Sequence, residues 1–113
     1  MGRGGYRWNR LKLQVYATYG PICWICDHPI PGGASGGEAD HVIPRCERPD
    51  LEFVLDNLRP IHGGKQRCPD CGHRCNQVRQ ARPVDYARRK VSTPVPGFTP
   101  PVRKPQATPG RAW

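Results

Sequence analysis

Two cysteine pairs, Cys23-Trp-Ile-Cys26 and Cys68-Pro-Asp-Cys71, stand on either side of an Asp40-His41 dipeptide. A Cys-x-x-Cys pair sets two thiols on one tight turn, where both can point at a single ion. Two such pairs commit a small chain to folding around metal, and an all-cysteine zinc site of Cys23, Cys26, Cys68 and Cys71 is the first reading. In the second pair, Pro69 and Gly72 shape a turn whose backbone N–H groups reach the sulfurs and steady the thiolates. A site of Cys23, Cys26, His62 and Cys75 competes with it, because His62 closes an extended segment and Cys75 directly precedes Asn76. Cys46 stands alone and reads as a small, partly buried residue, and His28 as a solvated loop histidine.

The chain needs such a staple. It has 113 residues, of which 36% are hydrophobic, with 13 glycines and 14 prolines. One small domain is all that length supports, and burial alone does not offset the ordering entropy of so apolar-poor a chain. A structural zinc site contributes roughly 10–16 kcal/mol of apparent binding free energy to folding. The opening residues, Met1-Gly-Arg-Gly-Gly-Tyr6, lack the apolar segment of a secretory leader, so the expected location is a reducing cytoplasm, where thiols stay free for metal. No apolar run reaches the roughly 20 residues that cross a bilayer, so no membrane role is expected. Eighteen Lys and Arg against nine Asp and Glu give a net charge of +9, which favours a polyanionic partner, nucleic acid foremost.

Residues 1–7 read as a flexible basic N-terminus, 8–82 as the domain, and 83–113 as a disordered, basic, proline-rich tail. Trp8, Leu11, Val15 and Tyr19 recur at helical spacing and predict a helix over 8–19, stopped by Gly20-Pro21. Residues 27–38 form a turn-rich loop, followed by a short strand over 39–43 that Pro44 stops. A second extended segment spans 57–62, and a helix is expected over 74–82, ended by Pro83. The tail carries prolines at 83, 94, 96, 100, 101, 105 and 109 and basic residues from Arg88 to Arg111.

Three segments, Ala39-Asp40-His41-Val42-Ile43-Pro44, Asn57-Leu58-Arg59-Pro60 and Cys75-Asn76, together resemble the HNH endonuclease superfamily. The likeness covers roughly residues 8–82 and is strongest to the zinc-stapled HNH proteins of phages and actinobacteria. Its Asp-His-x-x-Pro and Asn-Leu-x-Pro elements are specific in combination. The resemblance implies a small α+β fold with a ββα-metal core, in which a short hairpin and a helix clasp one divalent cation. It implies that His41 is the general base that activates water, and that Asp40 and Asn76 hold a catalytic Mg²⁺ or Mn²⁺. Asn57 matches the central residue of the triad, whose implied role is to bond backbone across the connecting loop. In compact family members the second and third triad residues lie closer together. Here the segment 63–72, with the second cysteine pair, separates Asn57 from Asn76, and His73 is an alternative third residue.

The implied activity is metal-dependent hydrolysis of DNA phosphodiester bonds. Arg45, Arg59, Arg74, Arg79 and Arg82, beside the predicted hairpin and helix, are the candidate phosphate contacts, with weak sequence preference. Likeness to phage proteins suggests packaging or recombination proteins as partners. A non-catalytic zinc-ribbon module that binds nucleic acid or a protein partner is the alternative from a different functional class.

Overall fold

The structure is a computed structural model that describes residues 5–100. Helix α1 spans Tyr6–Tyr19, beginning two residues earlier than its apolar stripe alone required. Trp8, Val15 and Tyr16 form its buried face, with Leu11 half-buried beside them. Tyr19 does not join them: it sits in the final turn, where the Arg59 guanidinium covers its ring at 4.3 Å. The helix stops at Gly20, whose φ of 82° an L side chain rarely adopts, and whose N–H closes on the Tyr16 carbonyl.

Strands β1 (Gly37–His41) and β2 (Leu58–His62) pair antiparallel, with Ala39 opposite Pro60 and His41 opposite Leu58. Pro60 is tolerated because a two-stranded sheet is all edge. Strand β1 starts two residues before the segment expected from sequence, and Val42 and Ile43 have already left it. Successive side chains on β1 point to opposite faces. His41 stacks on Trp8 of α1, whereas Asp40 meets Trp24 and Arg79 on the other side. Gly37 is dictated by the same packing, since a Cβ there would collide with the Tyr16 hydroxyl and with Ile30. The Tyr16 hydroxyl donates to the Glu38 carbonyl at 2.8 Å and so ties α1 to the sheet. Its burial pushes the phenol well above its ordinary pKa.

Helix α2 is short, Cys75–Arg79, because Gln80 turns the chain with a φ of 44°. The tail then departs from expectation. Residues 84–91, read from the sequence as disordered, form helix α3 (Val84–Val91), which packs on α2 and buries Ala87 and Val91. Pro83 precedes its first turn, Asp85 lies within that turn, and Arg88, Arg89 and Lys90 occupy the last, all favourable to the helix dipole. Beyond it, residues 92–98 lie over the second cysteine pair: Val95 N–H donates to the Cys71 carbonyl, and the Phe98 ring covers Gly72. The start of the expected flexible N-terminus and the end of the tail, with Arg103, Lys104 and Arg111, lie outside the described residues. Among the described residues, no helix is long and apolar enough to cross a membrane.

Candidate metal centre and adjoining cavity

The first cysteine pair enters a tight turn after α1. Cys23 N–H donates to the His28 carbonyl, Asp27 N–H donates back to the Cys23 carbonyl, and Asp27 takes a φ of 64°. The second pair repeats this turn bond for bond. Cys68 N–H donates to the His73 carbonyl, Gly72 N–H to the Cys68 carbonyl, and Gly72 has a φ of 80°. Asp70 N–H points at the Cys68 sulfur from 3.3 Å, the kind of donor that steadies a thiolate.

These turns, the end of β2 and the start of α2 converge on two groups of metal-ligating atoms, each group within 4.8 Å. One is Cys23, Cys26, His62 and Cys75; the other is Cys26, His28, Cys68 and Cys71. The four cysteines of the two pairs do not form one group. His62 and Cys75 complete the first set because β2 and α2 carry them to the first turn, and His28 takes the fourth place beside the second pair. His62 Nε2 donates to the Pro29 carbonyl at 3.0 Å, which leaves Nδ1 to face the sulfurs at 3.4 Å from Cys26 and 3.7 Å from Cys75. Tetrahedral zinc with bonds of ~2.3 Å to sulfur and ~2.05 Å to nitrogen requires ligand–ligand edges of roughly 3.5–3.8 Å. The chemistry and spacing of the donors therefore fit a metal ion such as zinc.

Electrostatics point the same way. Hydrogen bonding from Cys26 is the main cause that draws the Cys23 thiol far below its ordinary range and Cys68 down to about 3, and it pushes Cys26 itself up. Burial raises Cys71 to about 11. Burial would favour a neutral His62, but hydrogen bonds to the sulfurs of Cys23, Cys68 and Cys75 outweigh it and push the ring up to about 12. A sulfur cluster that holds its protons this way exchanges them for a cation.

Along the unpaired edge of β1 runs a cavity of about 340 Å³ lined by Trp8, Lys12, Asp40, His41 and Asn76 among others. A neighbouring one of about 270 Å³ shares Asp40, His41 and Asn76 and adds Arg45 and Gln80. His41 is only 6% exposed, held between the Trp8 ring at 5.7 Å and the Glu52 carbonyl, 3.0 Å from Nε2. A carbonyl only accepts, so Nε2 carries a proton, and in the neutral tautomer the lone pair is on Nδ1. Asn57 fixes the loop that supplies that carbonyl. Its Oδ1 accepts from Ile43 N–H at 2.9 Å, and its Nδ2 donates to the Ile43 and Leu51 carbonyls. His73 is elsewhere: its Nε2 donates to the Thr93 carbonyl, and it lines a separate hollow with Arg67 and Val95.

Comparison with known proteins gave no match: no family model, curated protein or solved structure matches the chain.

Among the arginines expected at phosphate, Arg79 is a correction. It is 2% exposed, and its guanidinium is spent on the Asp40 carboxylate at 2.8 Å and on the His41 and Val42 carbonyls. Its Nε–H is taken by the Arg82 carbonyl as well, and so buried and bonded a cation is not presented to DNA. Trp24 Nε1 also donates to Asp40 Oδ2, at 3.1 Å, so Oδ1 is the carboxylate oxygen outside these bonds. Burial raises the Asp40 pKa against the opposing pull of Arg79 and Trp24. Arg45 is exposed beside Glu52, Arg82 is exposed and donates to the Val78 carbonyl of α2, and Arg59 and Arg74 are half-buried on backbone oxygens. Sequence reasoning did not bring Trp8, Trp24 or Lys12 to this site: Trp8 reads as part of the helical apolar stripe, and no motif marks the other two.

Proposed function

We propose that this chain is a metal-dependent endonuclease of the HNH type that hydrolyses DNA phosphodiester bonds. The observation that carries the reading is the posture of His41. With its Nε2–H hydrogen-bonded to the Glu52 carbonyl, Nδ1 is the basic nitrogen of a neutral ring that borders the same cavity as Asp40 and Asn76. A neutral imidazole fixed in one tautomer is what a general base requires.

In this scheme Nδ1 takes a proton from a water in the cavity. The resulting hydroxide oxygen bonds to phosphorus as the bond from phosphorus to the 3′ oxygen breaks. The 3′ oxygen leaves with a proton from solvent, giving a 5′-phosphate and a 3′-hydroxyl, and imidazolium returns its proton to water. Asp40 through Oδ1 and Asn76 through its amide oxygen would hold a Mg²⁺ or Mn²⁺ ion, which, when bound, stabilises the charge gathering on the leaving oxygen. Arg79 and Trp24 keep the Asp40 carboxylate turned and ionised. Lys12 and Arg45 border the two cavities and suit the flanking phosphates, with affinity that falls as salt rises.

Conversion of supercoiled plasmid to nicked circles in Mg²⁺ or Mn²⁺ tests this. His41→Ala should lower the rate by about 10²–10⁴-fold, the usual share of a general base. Equal rates in the two proteins, or none with any metal, refute it.

The Asp40–Arg79 ion pair favours one other reading, in which Asp40 is purely structural and the chain is a non-catalytic zinc module binding nucleic acid or protein. That reading requires DNA retardation or partner capture to survive His41→Ala and Asn76→Ala without any cleavage.

A further inference from the structure

The first ligand group, Cys23, Cys26, His62 and Cys75, is complete by itself: three thiolates and an imidazole close a tetrahedron. Yet Cys68 and Cys71 are 0% and 2% exposed, directed inward beside it together with the half-buried His28. Cys68 Sγ lies 3.6 Å from His28 Nδ1 and 3.9 Å from Cys26 Sγ, both near the edges of a second zinc tetrahedron, roughly 3.5–3.8 Å. We propose that the chain binds two zinc ions in one cluster, with the Cys26 thiolate bridging them. Cys23, His62 and Cys75 complete one ion, and His28, Cys68 and Cys71 the other.

Charge explains why one sulfur is shared. Five thiolates against two dications leave a formal charge of −1 for the cluster. A single ion with the same five sulfurs would bury two further thiols against a thiolate-bound cation. The repeated turn explains the origin of the ligands. Each cysteine pair is followed, after one left-handed residue, by a histidine: His28 after Asp27, and His73 after Gly72. Both backbones make the same bonds, but the side chains diverge. His28 reaches across to the second pair, while His73 is taken by the Thr93 carbonyl. Residues 95–98 lie over the second pair, whose thiols are 0% and 2% exposed.

The test uses the full chain reconstituted with zinc, and with ¹¹³Cd²⁺. Native mass spectrometry should count two zinc ions per chain. The ¹¹³Cd spectrum should show two resonances split by scalar coupling through the shared sulfur. A count of one ion, or a single resonance, overturns the second site; two resonances without coupling overturn the bridge. His28→Ala combined with Cys68→Ser and Cys71→Ser should hold one ion and keep the α1–hairpin circular dichroism. A variant that still holds two ions overturns the ligand assignment, and if the triple variant does not fold the wild-type spectra decide. These readouts are independent of DNA cleavage, so a failed nicking assay and a failed metal count are separate outcomes.

Discussion

The Arg79 guanidinium lies 2.8 Å from the Asp40 carboxylate, and both side chains are almost wholly out of solvent. The pair joins α2 to β1, and the same guanidinium caps the carbonyls of His41 and Val42, where the strand ends. Removing one partner strands the other charge in low dielectric. Arg79→Ala should therefore cost about 3–5 kcal/mol, measured by urea unfolding at fixed zinc. Arg79→Lys should recover only part of this, since an ammonium cannot span three acceptors in one plane. A loss below about 1 kcal/mol would show the pair to be dispensable.

Asn57 acts on His41 at one remove. It pins the loop whose Glu52 carbonyl accepts a hydrogen bond from His41 Nε2–H. Asn57→Ala should destabilise by about 2–3 kcal/mol through unsatisfied loop backbone. If the nuclease reading holds, turnover should fall about 10²-fold with KM for DNA unchanged, because a displaced base costs rate rather than binding. Equal losses in kcat and affinity would instead indicate general unfolding of the site.

Tyr16 predicts an alkaline limit. Its folded pKa is raised above that of a free phenol, about 10, so the folded state holds its proton longer than the unfolded state. The contribution is whole below pH ~10 and is lost as pH climbs toward the folded value, where the unfolded chain has already ionised. Wild-type stability should thus drop above pH ~10. Tyr16→Phe, weaker by about 1 kcal/mol at neutral pH, should show a shallower fall. Parallel curves for the two proteins between pH 9 and 11 would contradict this.

Chelation should unfold the domain. With an apolar core this small, zinc held by the Cys/His groups would supply much of the stabilisation, roughly 10–16 kcal/mol per structural ion in small zinc domains. Circular dichroism should show loss of α1 and α3 on adding EDTA, with recovery on adding zinc. Retention of full helicity in excess chelator would make the Cys/His groups incidental.

The parts of this fold that the sequence announces are those coded locally. Trp8 to Val15 carry a helical stripe with a Gly-Pro stop, and the hairpin follows from two short extended segments bounded by turn residues. Helix α3 escaped notice because proline abundance was averaged over the whole tail. Between Pro83 and Pro94 there is none, and Asp85, Ala87, Val91 and the closing basic residues form an orderly short helix. The metal groups were half legible. The cysteine pairs are visible in any reading, but which thiol sits with which imidazole depends on where β2 and α2 end in space. His28 gives no local sign, since only the fold brings it to Cys68. Arg79 misled for a related reason: a cation in a basic chain looks like a surface residue until its carboxylate partner, 39 positions earlier, is placed beside it.

Because one ligand group takes members from both sides of the 42–57 loop, the chain is clasped across an exposed stretch. A protease nick there would not release either piece. The severed halves should migrate as one body in a native gel for as long as metal is bound, and part company only when it is stripped away.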